Sequence, residues 1–481
     1  MLRLALFGLL LAAASLAPPL SVAVGCNVAG LTFPVKCGSL RVRESARSDR
    51  TIGTYFIVVP AARRNAGAVF VIGGGPGQSA VEIASEVLGG SSPSASLVGM
   101  HADHDIVFAD QRGTGRSNPL QCPDLFASRA LSFAELYPAA PLRACRARLA
   151  KTADLNAYGT RQAVDDLDAL RAALGYRTIS IDTGSYGSEV AFEYVRRHPS
   201  RLRAVLLEAV VPTYAKVPLP FTRAAQHALD ELEASCANDA ACEETYPRFA
   251  SEWNAVTARF AQGPQPVTFR DGRTTTRATL SREVFADSIR HVLYEPFLAA
   301  ALPAAVHEAA TGNDEPLAKL VALQIDGFKN ELNFGMFLSV TCDEDVAFIT
   351  AKDRAVAAGE GFLGELRIDG QRRACAIGNV APAPKTFLLP VRSSVPVLMI
   401  SGADDPAAPA WLGASQLPYL SNARQILVAN GGHNNEDACL ARIRIAFIDD
   451  PTPARVRATC ANRFSRPAFV TDFNAWFDKQ L

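Results

Sequence analysis

Short apolar runs rich in β-branched residues recur through the first half of the chain, at residues 68–72 (AVFVI), 106–109 (IVFA), 178–182 (TISID) and 205–211 (VLLEAVV). Runs this short, apolar at nearly every position and separated by helix-like stretches, predict strands of a mainly parallel sheet covered by helices on both faces, an α/β fold. Between the second and third runs, Val164, Leu167, Leu170 and Leu174 fall at spacings of three and four. That spacing predicts a helix capped by Thr160 and ended by Gly175. After Pro212 the texture changes to long Ala/Leu/Glu-rich helical stretches at about 223–261 and 282–330, with a β-like piece at 267–270 (VTFR). The strand pattern resumes at 395–400 (VPVLMI) and 425–428 (QILV). One α/β core, residues 24–212 and 391–481, interrupted by a mostly helical cap at 213–390, accounts for this order. The second boundary is soft because VAPAPKTFLLPVRSS offers several breakpoints.

The opening residues, MLRLALFGLLLAAASLAPPLSVAVGC, place Arg3 before an apolar run that ends in Pro18 and Pro19 and then small residues. This predicts a secretory signal peptide over residues 1–23, cleaved after Ala23. Gly25-Cys26 also permits a lipid anchor on Cys26, a less favoured alternative because Ala23 fits a lipoprotein site poorly. No later run reaches the roughly 20 apolar residues of a membrane span, so the exported chain, secreted or periplasmic, is expected to have none. Its ten cysteines then read as disulfides. Pairing neighbours in order is the simplest connectivity, though sequence leaves the others open. No Cys-x-x-Cys or close Cys/His grouping occurs, and neither a metal nor a cofactor is expected. Lys+Arg and Asp+Glu balance at 48 each, which argues against a nucleic-acid partner.

Candidate chemistry begins with DTGSYGSE, residues 182–189, placed between the strand at 178–182 and a helical pattern, SEVAFEYVRRHP. A serine on a sharp strand-to-helix turn is an exposed nucleophile, and the helix start offers the Tyr186 N–H to a developing oxyanion. Gly184 and Gly187 fit such an elbow, whereas Thr183 stands where its first glycine belongs. A serine needs a base, and the base needs a carboxylate to fix its tautomer. SGADDPAAP puts Asp404 and Asp405 directly after the strand at 395–400, and ANGGHNNEDAC puts His433 after the strand at 425–428. Of seven histidines, only His433 follows the nucleophile in the returning half of the sheet. The loop after residues 68–72, GGGPGQSA, has the glycines needed for a second oxyanion amide, and it lacks the Gly-Lys-Ser/Thr of a phosphate loop.

GGGPGQSA, DIVFADQRGTGRS, GSYGSEVAFEYVRRHP, ISGADDPAAP and GGHNNEDAC, in this order and spacing, resemble the α/β-hydrolase serine peptidases related to proline iminopeptidase and tripeptidyl aminopeptidase. The resemblance extends from KCGSLRVRES near Cys37 to the region around Cys460. It includes two cap segments, CANDAACEETYP and SVTCDEDVAF, similar to those of the tripeptidyl branch. It implies the α/β-hydrolase fold with a cap, a triad of Ser185, Asp405 and His433, and oxyanion amides from Tyr186 and Gly75. Asp405 is favoured over Asp404 because it fills the aspartate of the family's Asp-Pro pattern. DQRGTGRS is expected to brace the glycine loop. Gly73 replaces the histidine of proline iminopeptidases, which favours the tripeptidyl branch.

Ser-His-Asp chemistry serves amides and esters alike. The leading expectation is a secreted peptidase trimming from free amino ends, with Glu344 of the acidic cap run, and Asp345 beside it, holding the substrate amine. A carboxylic ester hydrolase using the same triad is the alternative. An inactive binding protein, its elbow spoiled by Thr183, is the third. The expected partner is a peptide or small acyl substrate.

Overall fold

A computed structural model describes residues 20–28, 30–31, 34–63, 65–89, 94–272, 274–378 and 380–479. Its centre is a nine-stranded sheet of β1 (Leu20–Val24), β2 (Lys36–Arg43), β3 (Thr51–Val59), β4 (Ala68–Ile72), β5 (Asp105–Ala109), β6 (Ile179–Ser185), β7 (Leu202–Val210), β10 (Val397–Gly402) and β11 (Ala423–Val428). The strand order is β1-β2-β3-β5-β4-β6-β7-β10-β11, parallel from β5 to β11 and antiparallel at the other edge. This is the α/β-hydrolase architecture.

Consecutive residues of the parallel strands feed two different cores. Phe70, Val107, Leu207 and Met399 pack on one face, while Val69, Ile106, Leu206 and Leu398 pack on the other. Helices cover both faces, so every position is apolar and the period-two alternation disappears from the sequence.

Between β7 and β10 the chain is helical except for a hairpin, β8 (Gln265–Asp271) with β9 (Thr274–Leu280). It builds its own core around Leu229, Trp253, Phe260, Phe285 and Leu320. Val470, Phe473 and Phe477 near the carboxyl end join that core, and Val470 N–H donates to Ala300 O at 3.0 Å. The last stretch of the chain therefore crosses from the sheet to the cap, where the expectation placed all of residues 391–481 in the core.

The predicted helix is present as Thr160–Ala173, but Gly159 is its cap. The Thr160 hydroxyl is used elsewhere, on Glu344. Five disulfides join sequence neighbours: Cys26–Cys37, Cys122–Cys145, Cys236–Cys242, Cys342–Cys375 and Cys439–Cys460. Bridges of this number suit an oxidising compartment, and the Cys26 bridge leaves no thiol there to carry a lipid. No helix among the described residues is long and apolar enough to cross a membrane. Residues 1–19 of the expected signal peptide lie outside the described residues. Its last ones form β1, paired with β2 from Leu20↔Leu40 to Val24↔Lys36, so cleavage after Ala23 would leave β2 as the sheet's edge.

Candidate active site

β6 runs to Ser185 and the helix Gly187–Arg197 starts two residues later. Ser185 has φ 56°, in the left-handed region that costs a non-glycine residue on the order of 1–3 kcal/mol. That turn raises the hydroxyl above the carboxyl edge of the sheet. Thr183 lies buried beneath it, and its hydroxyl donates to the carbonyl of Ile72, the last residue of β4, at 2.9 Å. A β-carbon on Gly187 would overlap that same hydroxyl. Thr183 thus ties the elbow to the strand that enters the glycine loop, and the need for a glycine passes to Gly187.

Two substitutions separate these roles. Thr183→Val removes one buried donor and is expected to cost about 1–3 kcal/mol of stability while the nucleophile keeps its turn. Gly187→Ala forces Thr183 and the elbow apart and is expected to lose most turnover as well. Thermal unfolding measured beside steady-state kinetics checks both.

The glycine loop follows β4 directly. Gly75 and Gly77 adopt φ 106° and 108°, open to glycine and not to other residues. DQRGTGRS braces this loop as expected: Gln111 Nε2 donates to Gly73 O at 3.0 Å, and Asp110 Oδ1 accepts from Ser79 Oγ at 2.6 Å and Val81 N–H at 3.1 Å. Gly75 and Tyr186 border the same hollow as Ser185 and His433.

His433 Nδ1 lies 2.9 Å from both carboxylate oxygens of Asp405. Asp404 instead pairs with Arg466 at 2.7 Å. Asp405 Oδ1 also accepts the N–H groups of Ala407 at 2.8 Å and Ala408 at 2.9 Å. Burial works against charge on both partners, and their mutual attraction and hydrogen bond outweigh it. Asp405 is held below the ordinary carboxylate value and His433 above the ordinary imidazole value.

The loop carrying His433 is clamped from two sides. Asn435 N–H donates to Glu208 Oε1 at 2.8 Å, and Arg444 Nη2 reaches Glu208 Oε2 at 2.5 Å and Asn435 O at 3.1 Å. From the cap, Tyr294 O accepts His433 N–H at 2.8 Å, and its ring lies 4.3 Å from the imidazole centroid. Asn435, Arg444 and Tyr294 have no sequence signal, because each acts across contacts between distant segments. Ser185, Glu208, Tyr294 and His433 all border a cleft of about 770 Å³ between core and cap.

The two acidic cap residues part company. Both Glu344 oxygens are taken by Thr160, from its N–H at 2.6 Å and its hydroxyl at 2.5 Å. Thr160 Oγ1 in turn lies 2.8 Å from the Tyr186 hydroxyl. Glu344 borders a different cavity, with Arg112 and Arg161, and its carboxylate is engaged at the start of the helix Thr160–Ala173. Asp345, one residue on, turns the other way into the hollow shared by Ser185, Tyr186 and His433.

A family model described as the alpha/beta hydrolase fold matches residues 67–232, and one described as TAP-like protein matches residues 362–460. Serine protease Hip1 of Mycobacterium tuberculosis is 24% identical over 459 residues, covering 88% of this chain and 87% of its own. Carboxylesterase B of the same organism is 26% identical, covering 74% of this chain and 72% of its own. Among solved structures, a proline iminopeptidase of Mycobacterium smegmatis aligns over 88% of this chain and 97% of its own at 16% identity and a TM-score of 0.38.

Proposed function

Because the chain belongs to the α/β-hydrolase family of serine hydrolases and peptidases, we propose that it is an exported serine peptidase that trims substrates from a free amino end. The observation that carries this reading is the buried Asp405–His433 pair opening onto the cleft that Ser185 borders. His433 takes the Ser185 proton, and Ser185 attacks the scissile carbonyl. The Tyr186 and Gly75 amides bear the oxyanion. His433 then protonates the departing amine, and water, activated by the same imidazole, releases the acyl group. Asp405 holds Nδ1–H, leaving Nε2 free as the base.

Two features support peptides with a free amino end over other acyl substrates. The cap closes over the elbow, with Tyr294 and Phe297 bordering the cleft, and Asp345 lines the hollow beside Ser185. Ester hydrolysis by the same residues is the second reading, favoured by the likeness to Carboxylesterase B.

A panel of aminoacyl and tripeptidyl arylamides with free and acetylated amino ends, together with a short-chain aryl ester, distinguishes them. The expected result is Ser185-dependent cleavage of the free-amino amides, well above the acetylated ones. Ester turnover without amide turnover would replace the peptidase reading with the esterase one.

A further inference from the structure

We propose that Glu189 and Asp345 together form the seat for an ammonium group on the acyl side of the substrate, with Glu189 in the role the sequence suggested for Glu344. The proposal rests on Ser185 being the nucleophile and adds the group that selects the substrate. Glu189 stands in the first turn of the elbow helix, four residues after Ser185. It is only 3% exposed, and its Oε2 is buried without a hydrogen-bond partner. Asp345, from the end of the cap helix Phe334–Glu344, is also 3% exposed, and Val217 N–H satisfies its Oδ1 at 2.8 Å. Both carboxyls border the hollow of about 40 Å³ that holds Ser185, Tyr186 and His433.

A buried carboxylate without a countercharge is costly, and chains avoid one unless a partner arrives. Among the described residues no lysine or arginine borders the hollow, and apart from His433 its remaining walls are mostly apolar, among them Pro76, Val211, Val217, Phe221 and Ala407. Arg290 lies over the Phe221 ring at 4.2 Å. It is already engaged by Asp287 at 3.1 Å and the Tyr294 hydroxyl at 2.7 Å. Burial above all, with repulsion from Asp345 and Glu344 on Glu189 and from Asp343 on Asp345, holds Glu189 well above its ordinary value and Asp345 up to about 8; both rest protonated until a cation arrives to favour their charged forms.

The visitor is an organic ammonium. Hard metal ions collect six or more oxygens, which two carboxyls in an apolar hollow do not supply. An ammonium brings three donors for the free carboxyl oxygens and fits a small space. Glu189 sits on the nucleophile's own helix, so the cation it holds belongs to the part of the substrate that becomes the acyl group. Both an α-ammonium and a lysine side chain offer this chemistry.

Binding is measured on Ser185→Ala protein by calorimetry, which frees the result from turnover. The ligands are alanyl-alaninamide and its N-acetyl form, and N-acetyl-lysinamide against N-acetyl-norleucinamide. The expected result is at least tenfold tighter binding for one charged member over its neutral counterpart, and the pair that shows it identifies the α-amino or side-chain source. Adding Glu189→Gln or Asp345→Asn is expected to erase that preference. Both changes relieve buried repulsion and are expected to keep or raise Tm. Equal binding of charged and neutral ligands, or a preference that survives both substitutions, overturns the proposal. Failure of the peptidase reading is seen separately, as absent amide turnover by the Ser185 protein.

Discussion

Ser185→Ala is expected to lower kcat on the order of 10⁶-fold, the loss typical of removing a serine nucleophile that works with its base as a unit. The fold should survive the change. Alanine has the same β-carbon at φ 56°, Thr183 still bonds Ile72 O, and the disulfides are distant in sequence from the elbow. A residual rate above that in water is expected from the oxyanion amides and cleft binding alone. Unchanged thermal unfolding beside collapsed turnover is the signature. Near wild-type turnover would remove the serine from the mechanism altogether.

Asp405→Asn has the second largest expected effect, roughly 10⁴-fold in kcat at neutral pH. Asparagine can present its NH₂ to His433 Nδ1 and stabilise the wrong tautomer, leaving Nε2 protonated and useless as a base. The pH profile carries a second test. Burial alone lowers the imidazole, and Asp405 overcomes it to hold His433 above 6.5. A base works only when neutral, so wild-type kcat/KM should fall with decreasing pH through a midpoint above 6.5. In the asparagine variant that midpoint moves down.

Stability follows the same pair with opposite signs. Asp405 is depressed from 3.8, so its contribution is present above that value and lost as pH falls through the folded value. His433 is raised from 6.5, so its contribution is full below that value and lost as pH climbs through the folded one. The Tm gap between wild type and Asp405→Asn should therefore be widest between 3.8 and 6.5. Differential scanning calorimetry across that window reads it.

The parallel half of the sheet was legible because buried strands write uninterrupted apolar runs, and β4, β5, β6, β7, β10 and β11 all stood out. The antiparallel edge did not, since β2 and β3 mix polar and apolar positions, and in the separate cap hairpin β9 (TTTRATL) shows little apolar pattern. Ser185, Asp405 and His433 were legible because hydrolase chemistry sits in loops at strand ends. The geometry brings Asp405 and His433 together, and it places Ser185 on their cleft. Glu344 and Asp345 look equivalent in sequence as adjacent acids, while a helix end turns neighbouring side chains in different directions. Thr160 decides the matter by capturing Glu344 from 184 residues away. Glu189 did leave a trace, an acid on the face of a helix whose neighbours Val190 and Phe192 are fully buried.

Activation of Ser185 by His433 is tested most directly by covalent labelling of the folded, oxidised protein with a fluorophosphonate, followed by mass-spectrometric mapping of the adduct. A single phosphonyl group on Ser185, formed rapidly in wild type, slowed by orders of magnitude in His433→Ala and absent in Ser185→Ala, is the predicted result. An adduct on another residue, or labelling that persists in Ser185→Ala, would contradict it.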